Sequence, residues 1–289
     1  MEKGKKMVKI FADSVSDLNE ELQKEYDITV VPLTVNIGEE SYLDMVEIDQ
    51  KRFFDILESD EKISPKTAAP TPQAYEQAFR KEIEKGNSII CFTVSSASSS
   101  SSQSAGIAKD MIGTGKIDMI DTKTAGLGEG INAIEAAKLA RDGVEHEEIV
   151  RRSVQRVEKM KTIVLMDTME YLKRGGRISA AKAKLASLLN IKPIIEYMPT
   201  KGGGIDLIHR ARGFRNGMKW LVEYAKSLRA DMTKITLGIA YANDKSELRQ
   251  FMDLIRESIP FREVVIAQIG CVVGSHVGPG GVGIFFETV

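Results

Sequence analysis

Ile89-Ile90-Cys91-Phe92-Thr93-Val94 runs straight into Ser95-Ser96-Ala97-Ser98-Ser99-Ser100-Ser101-Ser102-Gln103-Ser104. The first six residues form a short, nearly continuous apolar run, which reads as a strand buried on both faces. The serines then sit at the strand's C-terminal edge and open a helix. Outward from this unit the alternation repeats. Residues 8–12, 28–35 and 117–120 read as strands, and 49–58, 71–85, 125–141 and 146–159 as helices. Thr71 caps the second of these, Pro72 takes its first position, and Gly86 stops it. Strands alternating with helices imply a mostly parallel sheet covered on both faces.

Beyond residue 160 the pattern changes. Strands are expected at 163–166, 191–197, 205–208, 235–241, 264–269 and 282–286. Helices are expected at 179–189, 213–228 and 246–258, with a short one ended by Gly175-Gly176. The fold class is therefore α/β: an N-terminal domain over 1–160 with a mostly parallel sheet, a C-terminal α/β domain over 161–289 with a mixed sheet, and a ligand cleft between them.

Composition narrows the function. In 289 residues, 40 Lys and Arg balance 41 Asp and Glu, and 43% of residues are hydrophobic. The near-zero net charge argues against a nucleic-acid partner. Cys91 and Cys271 lie in apolar runs without disulfide or metal-ligand spacing, which fits a reducing cytoplasm. No apolar run reaches the ~18 residues of a membrane span, and the lysine-rich residues 1–7 lead into a strand and not a signal-peptide core. Stable membrane insertion is not expected. Three scattered histidines make a metal site an unexpected outcome.

Several stretches carry possible chemistry. Helix-opening N–H groups and serine hydroxyls over 95–104 would form an anion site at a sheet edge, where open α/β sheets bind ligands, or merely a polar cap. Gly278-Pro279-Gly280-Gly281-Val282-Gly283 matches G-x-G-x-x-G but precedes a strand, so it lacks the βαβ context of a dinucleotide loop. His276, between glycines, reads as a histidine held by a shaped loop; His146 and His209 read as solvated. Asp13-Ser14-Val15-Ser16-Asp17-Leu18 follows the first strand, with Ser16 or Asp17 as a helix cap. Lys173-Arg174-Gly175-Gly176-Arg177-Ile178-Ser179 is a basic glycine turn able to hold a carboxylate or phosphate. Arg212, Arg215 and Lys219 share a helical face, with His209 and Arg210 just before it: a wet surface or a dock for an acidic partner.

In order along the chain, these segments resemble the DegV family of bacterial fatty acid-binding proteins. The resemblance rests on 12–18, Val30-Val31-Pro32-Leu33, Tyr42-Leu43-Asp44, 67–72, 95–105, 171–179, Leu189-Asn190-Ile191-Lys192-Pro193-Ile194 and His276-Val277-Gly278-Pro279-Gly280. It implies two α/β domains with a long-chain fatty acid buried between them as ligand, no cofactor, and no catalysis by this chain. It also implies a separate ATP-binding kinase subunit that receives the acyl carboxylate and makes acyl phosphate. By motif position the carboxylate would be held by Thr67, a serine of Ser95-Ser96-Ala97, and His276. Arg177, Ser99, Asp13 and Ser14 would support that network, and Arg174, Arg210 and Arg212 would meet the kinase. Two segments depart from the family pattern: Thr67-Ala68-Ala69-Pro70-Thr71 replaces the usual Thr-Ser-Gln-Pro-Ser, and Ala97-Ser98-Ser99-Ser100-Ser101 replaces Gly-Leu-Ser-Gly-Thr.

Physical chemistry is compatible with that reading. Burial of a chain at ~0.8 kcal/mol per methylene favours a dry tunnel without metal or cofactor. A carboxylate at its mouth needs hydrogen-bond donors, which Thr, Ser and His supply. Two competitors remain at this level: a lipid hydrolase with His276 as base and a tract serine as nucleophile, and a lipid-sensing interaction protein. The first lacks both a G-x-S-x-G elbow and an evident carboxylate partner for the histidine.

Overall fold

A computed structural model describes residues 7–60, 62–178, 190–228, 231–243 and 245–288. The expected helix at 179–189 lies outside them. The chain folds as two α/β domains. In the first, β1 (Val8–Asp13), β2 (Ile28–Val31), β6 (Ser88–Thr93) and β7 (Ile117–Asp121) form a fully parallel sheet in the order β2-β1-β6-β7. Helices α3 (Pro72–Ile83) and α4 (Ser101–Ile112) cover one face of it; α5 (Leu127–Arg141) and α6 (His146–Lys159) lie on the other. Thr71 caps α3 through its side chain, with Pro72 at the first helical position, as the sequence suggests.

The second domain holds a six-stranded mixed sheet, β10-β9-β8-β13-β11-β12, built from β8 (Met160–Met166), β9 (Ile191–Met198), β10 (Gly204–Arg212), β11 (Thr236–Tyr241), β12 (Glu263–Gln268) and β13 (Gly281–Glu287). Only β11 and β12 pair in parallel; the other ladders are antiparallel. Helices α8 (Phe214–Ser227) and α9 (Lys245–Ser258) cover its outer face. A domain division after residue 160, which we propose, falls at the first residue of β8.

Helix α5 explains how the two sheets come together. Its first eleven residues are almost all buried, Glu129 and Asn132 included, because it packs on β1 on one side and on β11 and β13 on the other. A helix enclosed on both sides has no polar face to display. Gly128 permits the approach, since a Cβ there would overlap the Thr162 hydroxyl. The result is one continuous core from Ile10 and Phe92 to Val164 and Phe285.

Several sequence expectations need correction. Residues 28–35 are two strands, not one: Pro32 supplies no N–H for a sheet ladder, and beyond it β3 (Thr34–Ile37) joins a separate antiparallel sheet, β4-β3-β5, with β4 (Glu40–Leu43) and β5 (Lys66–Ala68). His276 lies in a helix rather than a loop, α10 (Cys271–Val277). Arg212 ends strand β10 and does not share a helix with Arg215 and Lys219, because α8 begins at Phe214. His146 is not solvated; it is buried between Ser88 Oγ at 2.8 Å and Asp118 Oδ2 at 2.7 Å. Asp13, rather than Ser16 or Asp17, caps the short 3-10 turn Ser14–Ser16, and Asn19 caps α1 (Glu20–Tyr26). No helix among the described residues is long and apolar enough to cross a membrane.

Candidate functional site

Between the two domains lies a cavity whose void space, open mouth included, is about 820 Å³. Most of its wall is aliphatic or aromatic: Leu33 and Val94 from the first domain face Val164, Ile195, Ile205 and Phe285 from the second. Polar groups gather at one end, where Thr67, Ser98, Ser99, Arg177 and His276 line it. A largely apolar barrel with a cluster of polar groups at one end suits an amphipathic molecule carrying a small headgroup.

Three elements assemble that end. Thr67 stands on β5, paired across from Val35 of β3. His276 stands in the last turn of α10, and its Nε2 lies 3.1 Å from Thr67 Oγ1. Its Nδ1 is buried without a partner among the described residues. If Nε2 carries the ring proton, the threonine hydroxyl hydrogen is free to donate; if threonine donates to Nε2, the free donor is Nδ1–H. Either tautomer leaves one neutral donor for a headgroup oxygen.

Arg177 brings the positive charge. Its Nε donates to the Ser98 carbonyl at 3.1 Å and its Nη1 to the Gly175 carbonyl at 2.6 Å, so the guanidinium is fixed at the cavity wall. The glycine turn has a second role: a Cβ on Gly175 would overlap His276 Nδ1. Only a residue without a side chain lets the imidazole lie against this turn. Burial, aided by the nearby Arg177 charge, pushes His276 down to about 4 from an ordinary 6.5, so the ring is neutral at physiological pH.

The structure distributes the other sequence candidates unevenly. Ser95 is fully buried, but its hydroxyl donates to the Gly203 carbonyl at 2.9 Å, fastening the serine turn to the β9–β10 connection. Ser96 is exposed and donates to Asp121 Oδ2 at 2.6 Å; Ala97 is exposed too. The serines in the cavity wall are Ser98 and Ser99, with Ser99 Oγ 3.1 Å from Ser101 Oγ. Ser100 and Ser101 then lead into α4, six residues later than a helix starting directly from the strand. Asp13 and Ser14 are buried braces. Asp13 accepts from the Val15 and Val94 N–H groups at 3.0 and 3.1 Å, and Ser14 Oγ accepts from Leu33 at 3.0 Å.

The basic residues also separate. Arg210 and Arg212 are exposed on β10, an edge strand of the second sheet. Arg174, at the end of α7 (Glu170–Arg174), pairs with Glu170 at 3.2 Å and lies 5.9 Å from the Tyr171 ring centre. His209 stacks on Trp220 with centroids 4.3 Å apart.

Sequence reasoning missed what seats α10. Asp17 Oδ1 accepts the Gly270 N–H at 2.8 Å and Asp44 Oδ1 accepts the Cys271 N–H at 3.0 Å, so two buried acids from the first domain hold the start of this helix. Carboxylates at a helix N-terminus are favourably placed. Nothing local to 271–277 signals it, because both partners are more than 200 residues away.

Two outcomes follow from this geometry. Because the folded state keeps His276 neutral, only the unfolded chain takes up that proton between pH 6.5 and about 4. The stability carried by the neutral ring is present above pH 6.5 and lost as pH falls through that window. Urea midpoints measured across it should show the wild type losing ground to His276→Gln; parallel curves would refute the neutral buried ring. Gly175→Ala, at a helical φ of −73° that alanine tolerates, should displace the imidazole. Its folding should match the wild type, but affinity for a cavity ligand should fall at least about tenfold by calorimetry, the loss of roughly one good hydrogen bond.

Comparison with known proteins agrees with the architecture. The sequence model of the DegV family, described as "Uncharacterised protein, DegV family", matches residues 7–289. A DegV domain-containing protein of Caldanaerobacter subterraneus subsp. tengcongensis is 32% identical over 280 residues, covering 97% of this chain and 98% of its own. One of Clostridium acetobutylicum is 31% identical over 281 residues, with 96% and 98% covered. Among solved structures, a fatty acid-binding DegV family protein from Thermus thermophilus superposes with a TM-score of 0.88 at 26% identity, covering 98% of this chain and 100% of that one. A stearic acid-binding protein from Eubacterium ventriosum reaches 0.89 at 27% identity, with 98% of both chains covered. The chain belongs to the DegV family.

Proposed function

We propose that this protein binds a long-chain fatty acid in the interdomain cavity and presents its carboxylate to a separate ATP-dependent kinase. The observation that carries the reading is the cavity itself: apolar walls ending at a Thr67–His276 pair beside a fixed arginine. An acyl chain gains ~0.8 kcal/mol per buried methylene. A carboxylate at the polar end would meet the free donor of the Thr67–His276 pair, a hydroxyl of Ser98 or Ser99, and the Arg177 charge, so its burial is compensated. Solved relatives that bind fatty acids on the same fold, at 26% and 27% identity, support the ligand class.

In this reading the chain is the carrier and the chemistry belongs to the partner. The carboxylate attacks the γ-phosphorus of ATP on the kinase, and acyl phosphate and ADP leave, the acyl phosphate as a precursor for phospholipid synthesis. Arg210 and Arg212, exposed two residues apart on an edge strand, suit the docking of an acidic kinase surface, with Arg174 as a further candidate contact. The carrier works in the cytoplasm, without metal or cofactor. Hydrolysis by a tract serine fits less well: Ser95 and Ser96 are bonded to Gly203 and Asp121, Ser99 Oγ lies 3.1 Å from Ser101 Oγ, and His276 is bonded to Thr67.

Native mass spectrometry of freshly purified protein, then of delipidated protein re-exposed to palmitate or oleate, tests the ligand. One acid per chain is expected, with retention sharply reduced in His276→Ala; no bound acid in either sample would refute the carrier reading. Arg212→Glu should bind acid like the wild type yet slow acyl phosphate formation by a cognate kinase at least about tenfold. An unchanged rate would remove Arg212 from the docking surface.

A further inference from the structure

The cavity wall has a second polar station. Asp17, 1% exposed, gives one carboxyl oxygen to the Gly270 N–H. Its other oxygen, Oδ2, has no hydrogen-bond partner among the described residues, and Asp17 lines the cavity. That oxygen lies beside Gly126, which lines the cavity too and has the Phe285 ring as its other neighbour. Leaving a buried carboxyl oxygen open is costly, and the fold does not need it open: the helix-holding role of Asp17 uses Oδ1 alone.

Position gives the open oxygen its meaning. Gly270 precedes α10 and His276 stands in its last turn, six residues further on, so the backbone positions beside the two polar stations are about 9 Å apart along the helix at ~1.5 Å per residue. Between them the helix turns Val272 and Val273 into the cavity. An extended acyl chain advances about 1.25 Å per ~1.5 Å carbon–carbon bond. A chain that runs along Val272 and Val273 from a carboxylate at Thr67 and His276 would pass Asp17 about seven carbons along. Burial, aggravated by the Asp44 charge, holds the Asp17 carboxyl well above the usual carboxylate range.

We propose that Asp17 is a specificity-determining residue that reads a mid-chain hydroxyl, making hydroxylated long-chain acids ligands of this cavity alongside plain ones. A hydroxyl both donates and accepts, so it satisfies Oδ2 in either protonation state. Opposite the aliphatic parts of the wall it would lose its water hydrogen bonds and gain nothing. The inference rests on the fatty acid reading above.

Displacement titrations with stearate and a series of monohydroxystearates, the hydroxyl moved stepwise from near the carboxyl to the chain's far half, test it. In the wild type one mid-chain isomer should bind as tightly as stearate or more tightly, and isomers to either side at least about tenfold more weakly. Asp17→Asn should keep the preference, because its amide retains both the Gly270 contact and a donor toward the cavity, and asparagine accepts the left-handed φ of 56° found here. Asp17→Ala, which also loses the Gly270 contact, should bind every acid more weakly and the favoured isomer no better than its neighbours. Stearate binding with no positional preference among the isomers would overturn the inference while leaving the carrier reading intact, and a preference surviving Asp17→Ala would do the same. No binding of any acid would remove both. The wild-type series decides the matter even if Asp17→Ala fails to fold.

Discussion

A seven-residue helix held at both ends by the other domain is the constraint on which the rest depends. Alone, Cys271–Val277 is too short to persist, since helices below about 12 residues are marginal in water. Asp17 and Asp44 accept its first backbone N–H groups, Thr67 meets its last turn through His276, and Gly274 lies against the rings of Phe53 and Phe54 on α2 (Gln50–Ser59). All four contacts come from the first domain, while the helix leads directly into β13 of the second. The same helix thus closes the seam between the domains and aims the imidazole along the cavity.

The seam is bought with buried acids. Burial raises Asp13 and Asp44 to about 6 and also raises Asp17 and Glu129, each in competition with backbone N–H groups that favour the ionised form. Asp13 joins the first strand to the end of β6 through Val94, while Glu129 of the central helix accepts the Asp13 N–H at 3.1 Å. These carboxyls hold backbone in place, and the side chains of Ser101, beside Asp13, and of Ser14 and Cys271, beside Asp44, add to their hydrogen bonding. Protein N–H groups stand in for water, which keeps deeply buried acids tolerable.

The architecture was legible because it rests on local signals. Runs such as 89–94 and 117–120 and the Thr71-Pro72 helix start are written in adjacent residues, and they place the parallel sheet and its helices. Where pairing partners are distant, the sequence is less informative. The strand break at Pro32 was readable in principle, but the transfer of 34–37 to another sheet depends on partners at 40–43 and 66–68. Glycine and serine in 270–280 look like a loop because the caps of that helix sit at 17 and 44. The serine tract shows the same limit: its position at the sheet edge follows from the strand before it, but which hydroxyls turn inward depends on Gly203 and Asp121 claiming Ser95 and Ser96. The family resemblance pointed to Thr67 and His276, 209 positions apart, and they lie in hydrogen-bond contact; no spacing rule would have joined them.

The central claim is that an acyl chain fills the interdomain cavity with its carboxylate at the threonine–histidine pair. A crystal structure of the protein loaded with a fatty acid brominated at the chain terminus tests this directly, since anomalous scattering locates the tail independently of the head. The account requires an unbroken tube of density, forked within hydrogen-bond distance of Thr67 Oγ1, with the bromine signal deep between the two sheets. A cavity collapsed onto its own side chains or filled with water, or a bromine signal at the Thr67 end, would contradict it.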